Sequence, residues 1–543
     1  MKLDFAKNTK RNMLASMLNK CVGMLFPFLN RTLFLWLLGP EYLGLNGLFL
    51  SVLGVLSFAE LGFGTAVVCS MYKPVADDDQ ELVCAYLRFY RTVYRWVGMA
   101  ILVVGLCLLP FLRTLVRGDL PPGLDLHVLY LIHLVNTSVS YFLFAYRGAV
   151  LSAHHRGDVI ANIRTGTSIA QYVTVFAILV LTRNYYHYVV ATVAFTVLNN
   201  LLTVREARRL FPQIQPRGRL PDGSRREVLS LVKAIAMHKF GGIVTFASDN
   251  VIISAFLGLV AVATYGNYHY VVTAVSGLIW CVYASMTDGF GNKVHTETKE
   301  ANFSLFMGAN RLVSALIAWS AAMMIALYQP FIATWTHCDP TLLRHFLTPV
   351  LMVTYFFISQ SRQLLLQFKG AASIWRPDRW KSVVAGVVNL TLNIVFVTLL
   401  PPAYRLDGII FSTIFSVAVI EMPWEAHVLF TSYFRKEEVG RYWRAQFRAA
   451  VWTLALGVAA WASASAVALD GLPGLAVKGA VAFVVSSGLT CILFRHEMGT
   501  LVNRIRNRFV RRGGSPPRTG KTVHALRKPT ERNVQKGTCR KQP

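Results

Sequence analysis

Residues 19–39, NKCVGMLFPFLNRTLFLWLLG, and residues 238–258, HKFGGIVTFASDNVIISAFLG, decide how this chain is to be read. As a helix rising 1.5 Å per residue, each is long enough to cross a hydrocarbon core of about 30 Å. The two stretches also align without a gap at one constant offset. Lys20 meets Lys239, Gly23 meets Gly242, Asn30 meets Asp249 and Gly39 meets Gly258; further on, Gly47 meets Gly266 and Val52 meets Val271. Hydrophobicity alone repeats apolar letters. It does not place a lysine, several glycines and a polar pair at matching positions, so the alignment reads as an internal repeat.

Outward from these two stretches, apolar runs of roughly 18 to 27 residues recur about fourteen times. A backbone in hydrocarbon must satisfy its own hydrogen bonds, and the runs lack the alternation of barrel strands, so they read as helices. The expected fold is all-α and polytopic, with about 14 transmembrane helices in two six-helix lobes and two further C-terminal helices. The boundaries expected are an N-terminal lobe over 1–204, a linker over 205–230, a second lobe over 231–431, two extra spans within 432–498 and a disordered basic tail over 499–543. An even number of helices per repeat preserves orientation, which places a binding site between two parallel repeats that can rock.

The 543 residues are 54% hydrophobic and 15% charged, with mean hydropathy +0.45, leaving no room for a sizeable soluble domain. The formal charge of +28 could suggest nucleic-acid binding, but that needs a basic face on a folded domain, and here the cations lie between spans. With the N-terminus placed inside, roughly 44 Lys and Arg fall on the cytoplasmic side, about 6 on the opposite face and about 5 within spans. Both termini are therefore expected in the cytoplasm. The first apolar stretch carries Lys20, Asn30 and Arg31 and no small-residue cleavage site, so it reads as a retained span. The eight cysteines form no CxxC or Cys/His cluster, and no metal or other cofactor is expected.

An ionised side chain at the centre of a bilayer helix costs about 2.5 to 3.5 kcal/mol, so each one needs a partner, a polar cavity or an escape route. Lys20 and Lys239 lie toward the cytoplasmic third of helices one and seven, where a lysine can snorkel or line a cavity. Arg31 and Asp249 occupy the outer halves of the same helices, beside Asn30 and Asn250. Aspartate is too short to snorkel, and the repeat suggests that Asp249 meets Arg31, as a gate or as a structural pair. Glu60 is the carboxylate of helix two, within reach of Lys20. Arg311 in MGANRLVSAL and Arg362 in SQSRQLLLQFKG lie near cytoplasmic span ends, open to snorkelling or to a cationic cavity. Glu421 and Glu425 in EMPWE share a helix face and read as solvated or interfacial. There is no GxxxxGK[ST], HExxH or GxSxG. Any transport would draw on a proton or sodium gradient, the membrane potential or downhill use of substrate.

Three strings, LGPEYLGLNGLFLSVLGVLSFAELGFGTAVVCSMYKPVADDD, HKFGGIVTFASDNVIISAFLGLVAVATYGNY and FKGAASIWRPDRWKS, resemble the polysaccharide-transporter branch of the multidrug/oligosaccharidyl-lipid/polysaccharide exporter superfamily, which includes O-antigen and capsule-type flippases. In the third, Ser373 stands where a glycine is common. The resemblance spans about residues 8 to 445. It implies a bacterial plasma-membrane transporter moving an undecaprenyl-diphosphate-linked oligosaccharide from the inner to the outer leaflet, working among membrane lipids and with glycan polymerase and export machinery. It also implies a cationic cavity in which Lys20, Arg31, Lys239, Arg311 and Arg362 contact the headgroup, with Glu60, Asp249, Asn30 and Asn250 serving gating or ion coupling. Two other functions compete. A cation-coupled drug exporter needs an acidic cavity, and a non-transporting scaffold needs no intramembrane charge.

Overall fold

The computed structural model describes residues 22–494 apart from 61, 119, 122, 144, 373, 375 and 376, with backbone alone at 58, 59, 145, 234–247, 287–289, 292 and 295. Lys20, the side chain of Lys239 and the basic tail therefore lie outside the described residues. The helices run α1 Val22–Leu37, α2 Pro40–Leu56, α3 Phe63–Ala76, α4 Gln80–Cys107, α5 Leu126–Phe142, α6 Gly148–Ala153, α7 Gly157–Thr182 and α8 Tyr185–Leu210. They continue with α9 Asp222–Leu257, α10 Leu259–Thr296, α11 Lys299–Trp335, α12 Leu347–Ala371, α13 Lys381–Leu399, α14 Arg405–Phe415, α15 Met422–Ser432, α16 Val439–Ser465 and α17 Gly471–Leu493. Among the described residues there is no strand. Eight described helical segments are long and apolar enough to cross a membrane, or nine when the bent pair Gln80–Cys107 and Leu109–Leu115 counts as one span. The protein is an all-α, multi-pass membrane protein.

Short polar side chains start several helices. Asp79 accepts from the Leu82 amide at 2.9 Å, Asp125 from His127 and Val128 at 2.8 and 3.2 Å, and Asn184 from Tyr186 and His187 at 2.9 and 3.3 Å. Each satisfies amides that the first helical turn leaves open. The repeat-matched glycines Gly39 and Gly258 share one backbone conformation, φ 104°, ψ 171° and φ 90°, ψ 177°, and each precedes the next helix directly. Positive φ at both joints is a conformation that side chains other than glycine rarely adopt.

Three predicted spans are not continuous. The run over 42–68 breaks after Leu56 into a 3₁₀ turn, Ser57–Glu60, and restarts beyond Gly62, whose φ is 87°. The run over 126–150 breaks between Phe142 and Gly148. The run over 407–431 contains a π-turn at Ser416–Glu421, just before Pro423, which lacks the amide a regular turn would need.

Buried apolar side chains form two clusters, one around Phe34, Phe49, Tyr130 and Leu151, the other around Tyr268, Phe306, Phe356 and Leu429. α2 crosses α10 so closely that a Cβ on Gly44 would lie 1.9 Å from the Leu259 carbonyl oxygen. The C-terminal pair α16 and α17 packs on α11, held by Gln446 Nε2 to Asn310 Oδ1 at 2.9 Å and Trp319 Nε1 to Ser487 Oγ at 3.1 Å.

The non-helical part of the 205–230 connection is docked. Phe211, Ile214 and Leu220 are buried; Arg88 Nη1 donates to the Gly218 carbonyl at 2.9 Å, and Arg147 Nη1 to that of Ile214 at 3.4 Å. The ring of Phe211 lies 4.1 Å from that of His154, and this burial pushes the His154 imidazole below its ordinary range, opposed in part by its hydrogen bond to the Val150 carbonyl. The neutral ring favours docking, so docking is intact above the ordinary histidine pKa of about 6.5 and weakens as pH falls below it. A spin label at Arg219→Cys should gain mobility on acidification below about pH 6.5, and a His154→Phe background should remove that dependence.

Candidate functional site

α1 carries neighbouring polar residues that face opposite ways. Asn30 Nδ2 donates to the Tyr188 hydroxyl of α8 at 2.9 Å. Arg31 crosses to α10, with Nε to Asn267 Oδ1 at 2.7 Å and Nη2 to the Ala263 carbonyl at 3.1 Å. Gly266 makes room, since a Cβ there would sit 2.5 Å from Arg31 Nη2. Toward the cation-poor end the contact continues onto α11. Trp335 Nε1 donates to Thr32 Oγ1 at 2.8 Å, Trp36 Nε1 to the Trp335 carbonyl at 3.1 Å, and the Trp36 and His337 rings stack at 4.6 Å. Phe28 packs against Tyr270, Phe331 and Trp335.

α9 repeats the division of labour at the matching positions. Asp249 turns toward α10, α13 and α14: its carboxylate accepts from Asn393 Nδ2 at 2.6 Å, Thr413 Oγ1 at 3.1 Å and the Tyr265 hydroxyl at 3.2 Å. Asn250 crosses instead to α2 and donates to Ser51 Oγ at 2.8 Å. Beyond it, Ser254 Oγ donates to the Leu115 carbonyl at 2.6 Å, and Arg117 Nη1 donates to that of Phe256 at 2.5 Å.

The expected Arg31–Asp249 pair is thus not formed in this structure. Asn30 matches Asp249 in the repeat, and Arg31 matches Asn250. One residue of offset turns a side chain by about 100° around a helix of 3.6 residues per turn, so Arg31 and Asp249 point to different neighbours. Asp249 is 1% exposed and is held by neutral donors alone among the described residues. A second buried amide layer backs it: Asn393 also donates to Asn389 Oδ1 at 3.3 Å, and Asn389 to Thr413 Oγ1 at 3.1 Å.

Glu60 sits in the break between α2 and α3, not within a continuous helix. It accepts from the hydroxyls of Tyr94 on α4 and Tyr141 on α5, the latter at 2.6 Å. The Tyr94 ring in turn packs on Tyr90 at 4.3 Å.

Arg362 is neither snorkelling nor free. Its Nε and Nη2 form a two-pronged contact with Glu425 at 2.9 Å each, and Nη1 reaches Glu421 at 2.7 Å. Glu425 also binds Lys381, Lys381 reaches Asp378 at 3.4 Å, and Asp378 binds Lys369. The string alternates three carboxylates with three cations. Glu425, Lys369 and Lys381 are at most 1% exposed and Asp378 is 2% exposed. This corrects the solvated reading of Glu425. It also places Asp378 and Lys381, which charge counting assigned to a cytoplasmic loop, in a buried lock with Lys369 between α12, α13 and α15. Arg311 lies apart, exposed on α11.

Sequence reasoning missed Asn389 and Asn393, whose i, i+4 spacing on an apolar helix was a legible signal. It also missed Tyr94, Tyr141 and Thr413, which only the fold brings to their carboxylates. Removing one partner from the buried lock leaves a charge uncompensated, at a cost of about 3–5 kcal/mol. Glu425→Gln should therefore lower the thermal midpoint in detergent sharply, whereas Arg311→Gln, on an exposed cation, should leave it nearly unchanged.

Residues 9–287 match the model of a family described as polysaccharide biosynthesis protein. No curated protein matches the chain in sequence. Among solved structures, the lipid II flippase MurJ in an inward closed conformation superposes with a TM-score of 0.64 at 12% identity, covering 90% of this chain and 99% of that one. An inward-facing multidrug resistance transporter of the MATE family, from the MOP superfamily, gives 0.56 at 14% identity over 78% of this chain and 99% of that one.

Proposed function

Because the chain belongs to the polysaccharide biosynthesis protein family, we propose that it is a flippase carrying a polyprenyl-diphosphate-linked oligosaccharide from the inner to the outer leaflet by alternating access. The contact that supports this reading most is the polar and aromatic seam by which α1 meets α10 and α11. Hydrogen bonds between Arg31 and Asn267, and between Trp335 and Thr32, can be broken and remade at modest net cost, unlike an interlocked apolar core. By the cation bias this seam lies at the outer end, so the conformation is outward-closed. The likeness to MurJ and MATE structures supports a fold able to rock between two states.

Arg31 is the cation that would greet a diphosphate. Its described partners are neutral acceptors, which leave its charge uncompensated, and the guanidinium fork suits phosphate oxygens. Lys20 and Lys239 complete the proposed headgroup cavity, while the polyprenyl tail stays in lipid. Arg362 is reassigned to the buried lock, and Arg311 to the inner surface. Asp249 is the coupling carboxylate in this reading. A proton or a sodium ion at Asp249 would replace its hydrogen bonds from Thr413 and Tyr265 as the halves move. The setting is a bacterial plasma membrane with both termini cytoplasmic, and glycan polymerase and export machinery are the partners downstream.

The test is translocation of a fluorescent polyprenyl-diphosphate glycan in proteoliposomes, with pH, sodium and voltage gradients imposed separately. Wild type should flip the glycolipid. Lys20→Gln with Lys239→Gln should abolish flipping while the protein remains inserted. Asp249→Asn should lose the response to the coupling gradient, and Asn267→Leu should slow turnover by weakening the outward-closed state. Export of organic cations without glycolipid movement, or unaltered flipping in the double lysine variant, would sink the proposal.

A further inference from the structure

Two adjoining cavities open on the side of the molecule formed by the C-terminal helices. The first, about 330 Å³, runs between α12 and α16 over α11 and is walled by apolar side chains, among them Ala321, Val350, Phe357, Ala450, Leu454 and Val458. From Ala450 to Trp461 it follows α16 for about 16 Å at 1.5 Å per residue, a length suited to an acyl chain. The second, about 730 Å³, lies at the cation-poor end and carries Gln329, Thr334, His337, Ser465, Asp470 and Lys478. Ile325, Phe346 and Trp461 line both, and the last two rings pack at 5.4 Å to form the neck. An apolar slot and a polar mouth thus adjoin along one channel wall.

Lys478 sets the chemistry of the mouth. It lies two turns into α17, about 10 Å below the helix start, where an ammonium must be matched or must reach the interface. Its side chain is 15% exposed and lies against Asp470 Oδ1 at 3.4 Å, while Asp470 is 94% exposed. A sheltered ammonium beside an open carboxylate matches a headgroup bearing both a phosphate and a primary ammonium, phosphate on Lys478 and ammonium on Asp470. We propose that this channel is a binding site for one outer-leaflet phosphatidylethanolamine, its chain between α12 and α16 and its head at Lys478 and Asp470. The mouth also includes His337, the ring that stacks on Trp36 of α1, so the bound lipid touches the outer seam. Apart from His337 at the edge of the seam, the site uses none of the proposed transport residues.

Full-length protein, delipidated in detergent, would be titrated by native mass spectrometry with dimyristoyl phosphatidylethanolamine, the matching phosphatidylglycerol, the matching diacylglycerol and a polyprenyl phosphate. The first phosphatidylethanolamine should bind tightest. Its affinity should fall at least about tenfold in Lys478→Leu, which removes the phosphate partner, and in Ala450→Trp, which fills the slot. Lys478→Arg should bind close to wild type. Lys478→Leu replaces a sheltered ammonium with an apolar side chain and keeps the test open should Ala450→Trp fail to fold. Unchanged binding in Lys478→Leu, equal binding of diacylglycerol, or preference for phosphatidylglycerol would overturn the proposal. Tighter binding of the polyprenyl phosphate would assign the channel to the carried lipid and overturn it as well.

Discussion

In hydrocarbon a charge must have a partner, and most of this structure can be read as the ways in which its intramembrane charges find one. The string from Glu421 to Lys369 cancels completely, three against three, and binds α12, α13 and α15 into one block. Glu60 takes phenol hydroxyls, and Asp249 takes an amide, a hydroxyl and a phenol. Among the described residues those two carboxylates are held by neutral donors and meet no counter-charge. Fully cancelled networks fix structure. Charges left on neutral partners are where an ion or a phosphate can intervene, and Arg31 belongs to that second group.

The same distinction explains which parts of the molecule were legible in the sequence. Long apolar runs announce helices because the bilayer leaves the backbone no alternative, and the charge bias follows from the cost of moving cations across. The matched glycines 39 and 258 announce a repeated joint because their positive φ excludes most other residues. The breaks at Gly62 and at Ser416–Glu421 stayed hidden, since hydropathy does not register backbone torsion. The Arg31–Asp249 expectation failed on a single residue of helical phase. Asp378 and Lys381 looked like loop charges because Glu425, which ties them to Arg362, lies more than forty residues beyond Lys381.

The linker illustrates how composition can mislead. A Pro/Gly/Arg-rich stretch reads as a loose tether, yet Phe211, Ile214 and Leu220 seat it against α4 and α6 while Arg88 and Arg147 hold its carbonyls. The hydrogen bonds come from arginines outside the linker, while its own arginines add to the cation bias.

Gly44 and Leu259 meet backbone to backbone, with no side chain between α2 and α10 at that point. Side chains absorb small displacements by changing rotamer, and packed interfaces usually creep in that way. Two bare backbones have no such slack: they seat fully or they part. At this one point the protein behaves as a mechanical stop. Its position limits how closely the two helices can approach.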